Sequence, residues 1–294
     1  MVKTWSTPPV DEQKRLIPCA LCGQSLFKPF LSCEGFFYVR CTSCALDQIN
    51  PQPLEEAIKG RYGEDYLAYE LSNEEAFFNL QLLGLADSGF AELENALRSK
   101  PNSGSEERLG KMRVLDIGCA TGRLLAHLRE QGWETTGVEI CAPQADYCRE
   151  KRSLDVRSLP LKENFFSKGA FDAVLASHLI EHLNDPAGFV REVARILSPG
   201  GRFFVTTPNI AGFQARLFKA RWRSAIPDHL YLFSLKTLPR LLEANGFTVE
   251  KTITWGGLAA GTAPAPVKRL FDKAAKRFGF GDVMMLRAYT AAGE

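Results

Sequence analysis

Val114-Leu115-Asp116-Ile117-Gly118-Cys119-Ala120-Thr121-Gly122 carries the reading of this chain. A short apolar run ends in an acid. A glycine-rich turn then opens into Arg123-Leu124-Leu125-Ala126-His127-Leu128, whose apolar spacing is helical. Strand, tight turn and helix in that order form the first unit of a nucleotide-type α/β domain. Gly118 and Gly122 lack a Cβ, so a ligand is expected to lie against the backbone there. The turn reads D-x-G-x-x-x-G, unlike the G-x-G-x-x-G of dinucleotide sites or the G-x-x-x-x-G-K-[ST] of phosphate loops. No lysine follows it, which points to a nucleoside-like ligand without a phosphate chain. Glu134-Thr135-Thr136-Gly137-Val138-Glu139-Ile140 reads as the next strand, and Glu139 at its end can accept hydrogen bonds from both ribose hydroxyls.

D-I-G-C-A-T-G followed by V-E-I resembles the class I S-adenosylmethionine-dependent methyltransferases. The resemblance continues through Phe171-Asp172-Ala173-Val174-Leu175-Ala176-Ser177-His178-Leu179-Ile180-Glu181-His182-Leu183 and Asp185-Pro186. It runs on in Leu197-Ser198-Pro199-Gly200-Gly201-Arg202-Phe203 and Thr206-Thr207-Pro208-Asn209, covering roughly residues 111 to 294. The ordered series is far more specific than one glycine turn. It implies a doubly wound, mostly parallel seven-stranded α/β sheet whose last two strands pair antiparallel. It also implies a cofactor site of Asp116, Gly118, Cys119, Ala120, Gly122, Glu139 and Ile140, with Ser177 and His178 on its border. Adenine recognition carries over least well. Asp155 stands where the third strand begins, so backbone groups near Ser158 and Leu159 are the expected adenine contacts.

Composition sets outer limits. The chain has 294 residues, 45% hydrophobic and 24% charged, with a formal net charge of +2. That is a globular chain of about two domains, with no global charge to draw it to nucleic acid or anionic lipid. No apolar run approaches the ~18 residues of a transmembrane helix. Met1-Val2-Lys3-Thr4-Trp5 lacks a signal-peptide core, so the cytoplasm is the expected compartment.

In such a compartment the eight cysteines do not read as four disulfides. Four of them form Cys19-Ala20-Leu21-Cys22-Gly23 and Cys41-Thr42-Ser43-Cys44, two C-x-x-C pairs with 18 residues between them. This spacing belongs to Cys₄ zinc sites. Each pair can form a knuckle whose backbone amides point at the thiolates, and four sulfurs leave no open position, so the metal is expected to be structural. Gly23 suits the first knuckle; Ala45 holds the matching place in the second. Phe36 to Arg40 reads as a strand between the pairs, as in a zinc ribbon. The run from Cys19 to Tyr66 is similar to the zinc-binding leader of some bacterial small-molecule methyltransferases. Cys33, Cys119, Cys141 and Cys148 lack ligand spacing and read as packing residues.

The organisation expected is a zinc-ribbon-like module over 1–53, a helical cover and linker over 54–110, and the methyltransferase domain over 111–294. Helices are predicted over 54–58, 74–85 and 90–97, with a solvated linker over 101–107. Tyr62, Tyr66 or Tyr69 can pack on the cofactor, though core packing is the commoner role for any one of them. His178-Leu179-Ile180-Glu181-His182 formally matches the H-x-x-E-H of some zinc proteases, but no third ligand follows. In the family pattern His182 faces the substrate side or braces the loop. A hydroxyl acceptor needs a base, most often histidine, and His182 and His229 are the candidates; His127 reads as structural.

The expected function is methylation of a small-molecule hydroxyl in a cofactor, lipid-quinone or glycan pathway, using S-adenosylmethionine and a structural zinc. The rival is an RNA methyltransferase whose zinc module grips nucleic acid. Its support is the basic, aromatic run Arg216-Leu217-Phe218-Lys219-Ala220-Arg221-Trp222-Arg223. Such a run is more often an amphipathic lid with solvated charges. A third possibility is a binding module that kept the fold without the chemistry.

Overall fold

The structure is a computed structural model that describes residues 14–54, 64–99, 111–258 and 263–290. The expected helix over 54–58, apart from Leu54, together with Tyr62 and the 101–107 linker, lies outside the described residues.

The N-terminal module consists of β1 (Lys14–Arg15), β2 (Phe27–Cys33), β3 (Phe36–Cys41), β4 (Asp47–Ile49) and β5 (Gln52–Pro53). β2 and β3 form an antiparallel hairpin, and β4 adds to β3. The cover is one long helix, α1 (Glu64–Ser88), followed by α2 (Phe90–Arg98). Gly89 separates them at φ +83°, left-handed backbone that favours glycine.

From Arg113 the chain alternates strand and helix as the apolar pattern predicts. β6 (Arg113–Ile117), α3 (Arg123–Glu130), β7 (Glu134–Val138), α4 (Ala142–Arg152), β8 (Asp155–Arg157), β9 (Phe171–Ser177), α5 (Pro186–Ile196) and β10 (Leu197–Pro208) follow in order. α6 (Phe213–Phe218), β11 (Tyr231–Leu232), α7 (Thr237–Glu243), β12 (Phe247–Trp255), α8 (Ala265–Phe278) and β13 (Val283–Thr290) complete the fold. The main sheet has the order β12-β13-β10-β9-β6-β7-β8. β6 to β10 run parallel, and β13 lies antiparallel between β10 and β12. This is the doubly wound seven-stranded sheet the sequence predicts. Its order reverses between β6 and β9, which opens a crevice at the carboxyl ends of those strands.

Val114, Leu115, Ala173, Val174, Phe203 and Val205 are fully buried, as strands covered on both faces require. One face carries Phe78 and Leu85 of α1 and Phe90 and Leu93 of α2. The other face shares a core with the N-terminal module, in which Tyr38, Leu46 and Ile49 pack with Ile180, Leu230 and Phe233. β11 pairs antiparallel with β4, so the module's four-stranded sheet takes its last strand from the segment after β10. The sequence division at residue 53 therefore separates two parts that share one core and one sheet.

Candidate functional site

β6 delivers Asp116 to the crevice, where it is buried and its Oδ1 has no hydrogen-bond partner among the described residues. Burial raises its carboxyl to about 7, helped by the charge of Glu139. Gly118 turns the chain at φ +74°, and the space a Cβ would take borders only the Leu179 side chain. Glu139 ends the next strand. Its Oε2 accepts from the Ala120 N–H at 3.0 Å and its Oε1 from the Cys141 N–H at 2.8 Å. Burial raises this carboxyl to about 7 in spite of those bonds. Ala120, at φ +49°, is held in a strained left-handed turn that brings its N–H to Glu139.

Two expectations about this turn change. Gly122, at φ +72°, does not make room for a ligand; a Cβ there would lie 2.6 Å from Leu154 Cδ1 and 2.9 Å from Cys148 Sγ. Its missing side chain serves the packing of the turn on α4. Cys119 likewise faces inward, its Sγ 2.8 Å from where a Cβ on Gly137 would sit. Both shape the turn from behind. Ile140 and Leu159 are exposed apolar side chains beyond the carboxyl ends of β7 and β8. The Ser158 hydroxyl accepts from Arg149 at 3.0 Å. Asp155 lies at the opposite end of its strand. There it lines a hollow of about 410 Å³ with Lys111, Arg129, Trp133 and Glu134. Asp155 thus has no place in the crevice.

α1 closes the crevice from above. Arg152 ties it down, donating to the Thr121 carbonyl at 2.8 Å and to Glu74 at 2.6 Å. His127 packs edge-on against Phe78 of α1 and is structural, as expected. A cavity of about 20 Å³, room for one water, lies between Gln81 and Leu85 of α1 and Asp116, Ser177 and Thr206. Tyr66 and Tyr69 stack on each other. Glu70 escaped the sequence reading. Its carboxyl is raised by burial, bonded to Tyr66, and acts electrostatically on both His178 and Glu139. A lone acid on a helix gives no sequence signal; only the docking of α1 puts it over the crevice.

The loop after β9 holds the second group. His178 is exposed at φ +51°, with its N–H bonded to the Thr206 carbonyl. Its Nδ1 lies 3.3 Å from Glu181 Oε1. Glu181 is fully buried and neither oxygen has a well-aligned hydrogen bond among the described residues. Burial would raise this carboxyl, but His178, His182 and His229 outweigh it and bring it down to about 2. His182 and His229 meet edge to face, ring centroids 4.7 Å apart. His229 is buried, which lowers it to about 3, and its Nδ1 lies 2.7 Å from the Ser224 carbonyl. Nδ1 must donate that bond, leaving Nε2 as a neutral acceptor. Ligating atoms of Glu181, His182 and His229 lie within 4.8 Å of one another.

The N-terminal module braces both loops that carry these groups. Tyr38 Oη bridges the carbonyls of Ile226 at 2.8 Å and His229 at 2.6 Å. The Ile49 N–H donates to the Leu230 carbonyl at 2.9 Å, and Cys33 Sγ to the Ala225 carbonyl at 2.6 Å. Asn184 donates to the Pro53 carbonyl at 3.1 Å. Within the module, Cys19, Cys22, Cys41 and Cys44 bring their sulfurs within 4.8 Å of one another, with Cys19–Cys44 at 3.4 Å and Cys22–Cys41 at 3.5 Å. Backbone N–H groups of Leu21 and Cys22 bond the Cys19 sulfur, and those of Ser43 and Cys44 the Cys41 sulfur. Gly23 and Ala45 close equivalent turns onto the carbonyls of Cys19 and Cys41. Four thiols with amides aimed at them fit a closed tetrahedral zinc site. The orphaned, buried Asp116 carboxyl and the open backbone at Gly118 fit a cationic nucleoside such as S-adenosylmethionine.

The basic run over 216–223 does not present its tryptophan for stacking. Trp222 is buried and its indole N–H donates to Asp282 Oδ1 at 2.6 Å, while Arg223 pairs with Asp282 Oδ2 at 2.9 Å.

Comparison with known proteins agrees with this architecture. A ubiquinone biosynthesis O-methyltransferase of Rattus norvegicus is 28% identical over 173 residues, 53% of this chain and 50% of that protein. One of Xylella fastidiosa is 33% identical over 123 residues, 39% of this chain and 50% of that protein. The chain thus spans about half the length of the curated relatives it matches. The crystal structure of a SAM-dependent methyltransferase from Thermotoga maritima superposes with a TM-score of 0.50 at 22% identity, covering 76% of this chain and 97% of that one. This likeness bears on the fold alone. The family described as methyltransferase domain matches residues 90–252, more than half of the sequence. The chain belongs to the methyltransferase-domain family.

Proposed function

We propose that this protein transfers a methyl group from S-adenosylmethionine to the hydroxyl of a small acceptor, of the phenolic kind found in quinone pathways. The observation that carries this reading is the histidine cluster around buried Glu181, set on loops beside the orphaned carboxyl of Asp116. The names of the relatives, O-methyltransferases of ubiquinone biosynthesis, support the acceptor class.

The cofactor supplies an activated methyl on a sulfonium centre. Asp116 and Glu139 provide negative charge where that cation sits, with Glu139 also taking the ribose hydroxyls. Gly118 and the Ala120 backbone admit the ligand to the chain, with Cys119 and Gly122 supporting the turn. Ile140 and Leu159 supply apolar surface for the adenine ring, and Ser158 a hydroxyl at its edge. Ser177 and His178 form the wall between cofactor and acceptor. His182, half-buried beside the Glu181 carboxylate, takes the acceptor proton, and the ion pair stabilises the imidazolium that results. His229 is the orienting partner: neutral and fixed by the Ser224 carbonyl, it holds the ring of His182 through their edge-to-face contact. The protein contributes alignment and exclusion of water by α1.

Cys19, Cys22, Cys41 and Cys44 hold a structural zinc whose module fixes the acceptor loops through Tyr38, Ile49 and Asn184. A reducing compartment such as the cytoplasm suits four thiolate ligands. Transfer of labelled methyl from S-adenosylmethionine to a panel of phenols and catechols tests the reading. Turnover on that panel, reduced ~10²–10⁴-fold in His182→Gln, is expected. Transfer to RNA but to no small hydroxyl would overturn it.

A further inference from the structure

The rim of the crevice carries an exposed apolar and cationic surface that the methyl-transfer reading does not use. α6 follows β10 and α8 joins β12 to β13. The register pairs Pro208 and Trp255 with Val283, so both helices stand at the carboxyl end of the sheet, beside the site. They touch through Phe213 and Phe271, ring centroids 5.0 Å apart. On α8 the positions Val267, Leu270, Ala274 and Phe278 form one helical stripe, spaced i, i+3, i+7, i+11. Phe271 and Ala275, one step round the helix, pack inward. The stripe faces out: Val267 is 53% exposed, Leu270 72% and Phe278 71%. Leu217 on α6 adds a further apolar side chain at 59% exposure.

Charge is concentrated on the same two segments. Residues 213–223 contain four cations and no acid; residues 265–278 contain five cations and one acid. They hold a net +8 on a chain whose total is +2, so the rest of the molecule is negative by 6. Asp272, Asp87 and Asp282 neutralise Lys268, Lys276 and Arg223. Arg216, Lys219, Arg221, Arg269, Lys273 and Arg277 meet no carboxylate among the described residues.

We propose that α8 and α6 dock the protein on an anionic lipid surface, α8 lying in the plane of the headgroups with Val267, Leu270 and Phe278 buried. An apolar stripe flanked by cations is the pattern of an interfacial helix, and unpaired lysine and arginine complement anionic headgroups. Nucleic acid would use the charge but little of the stripe. Val267 and Leu270 offer no stacking face, Phe278 is the stripe's one aromatic ring, and Trp222, the aromatic best suited to bases, is buried. The crevice mouth would then open toward the bilayer, where an apolar acceptor resides.

The test is co-sedimentation of the full chain with vesicles of phosphatidylcholine alone or with a quarter of the lipid replaced by phosphatidylglycerol, at low and high salt. Binding to the anionic vesicles, weakened by salt, is expected. Leu270→Ser/Phe278→Ser should lower the affinity by about tenfold or more, since two large apolar side chains would no longer be buried. Lys273→Glu/Arg277→Glu should abolish the preference for anionic lipid. Unchanged melting temperatures and cofactor affinities would show that both variants fold. Equal binding to neutral vesicles, no binding at all, or indifference to both variants would overturn the proposal. So would retention on single-stranded RNA that displaces the vesicles and tolerates the serine variant.

Discussion

Asp116 and Glu139 are two carboxyls in one crevice, each held up to about 7 chiefly by burial. An unfolded chain releases these protons near pH 4. The folded, ligand-free protein keeps them to about 7, so this pair favours folding at low pH and loses that contribution as pH rises toward 7. A cationic ligand reverses the preference, because it stabilises the ionised forms. The affinity for S-adenosylmethionine should therefore rise between pH 6 and pH 8, with protons released on binding. Calorimetry in buffers of differing ionisation enthalpy reads this directly; a pH-independent affinity without proton release would contradict it. A second prediction concerns Ala45, whose φ of +65° places a Cβ in left-handed backbone where the matching knuckle has Gly23. Replacing it by glycine relieves ~1–2 kcal/mol of strain against ~0.5–1 kcal/mol of added backbone freedom in the unfolded chain. Ala45→Gly should thus raise stability by about 0.5–1 kcal/mol, measured as a higher denaturant midpoint of the zinc-loaded protein; a lower midpoint would mean the turn is not strained.

Among elements, β11 is the one that joins the two halves. Two residues, Tyr231 and Leu232, pair with Gln48 and Asp47, and the turn before them carries His229. Tyr38 secures that turn from β3. Tyr38→Phe removes the hydroxyl hydrogen that serves two buried carbonyls, at a cost of ~1–3 kcal/mol. It should lower the rate of methyl transfer while leaving cofactor affinity unchanged, because Asp116 and Glu139 stand on other strands. A parallel loss of both would indicate general unfolding. The elements most legible in the sequence were those whose signal is local. β6, the turn at Gly118 and α3 follow from apolar spacing and glycine, and the cysteine knuckles from C-x-x-C spacing. Three features were not legible. β11 is too short to have a period, and its partner lies some 180 residues earlier. At Gly122 a missing side chain looks the same in sequence whether ligand or α4 fills the space, and the inward packing of Cys119 has no sequence signal. Glu70 is invisible until α1 docks.

At the scale of the molecule, the zinc module and the methyltransferase sheet share a hydrophobic core. Structural zinc contributes ~10–16 kcal/mol of apparent binding free energy in small modules, more than many domains' whole stability. Chelation should therefore lower the melting temperature of the entire chain in one transition. A separate early transition of the module alone would mean the two halves are independent. The crevice at the reversal of strand order is proposed to be an S-adenosylmethionine site built on two acids. The most direct test is titration of the zinc-loaded protein with S-adenosylmethionine by calorimetry, alongside Glu139→Gln. One site per chain is predicted for the native protein. The variant should bind about tenfold or more weakly through the loss of charge-assisted hydrogen bonds worth ~1.5–3 kcal/mol, measured below its own melting transition, which should fall because one of the backbone N–H groups held by Glu139 loses its acceptor. No binding by the native protein, or equal affinity in the variant, would contradict it.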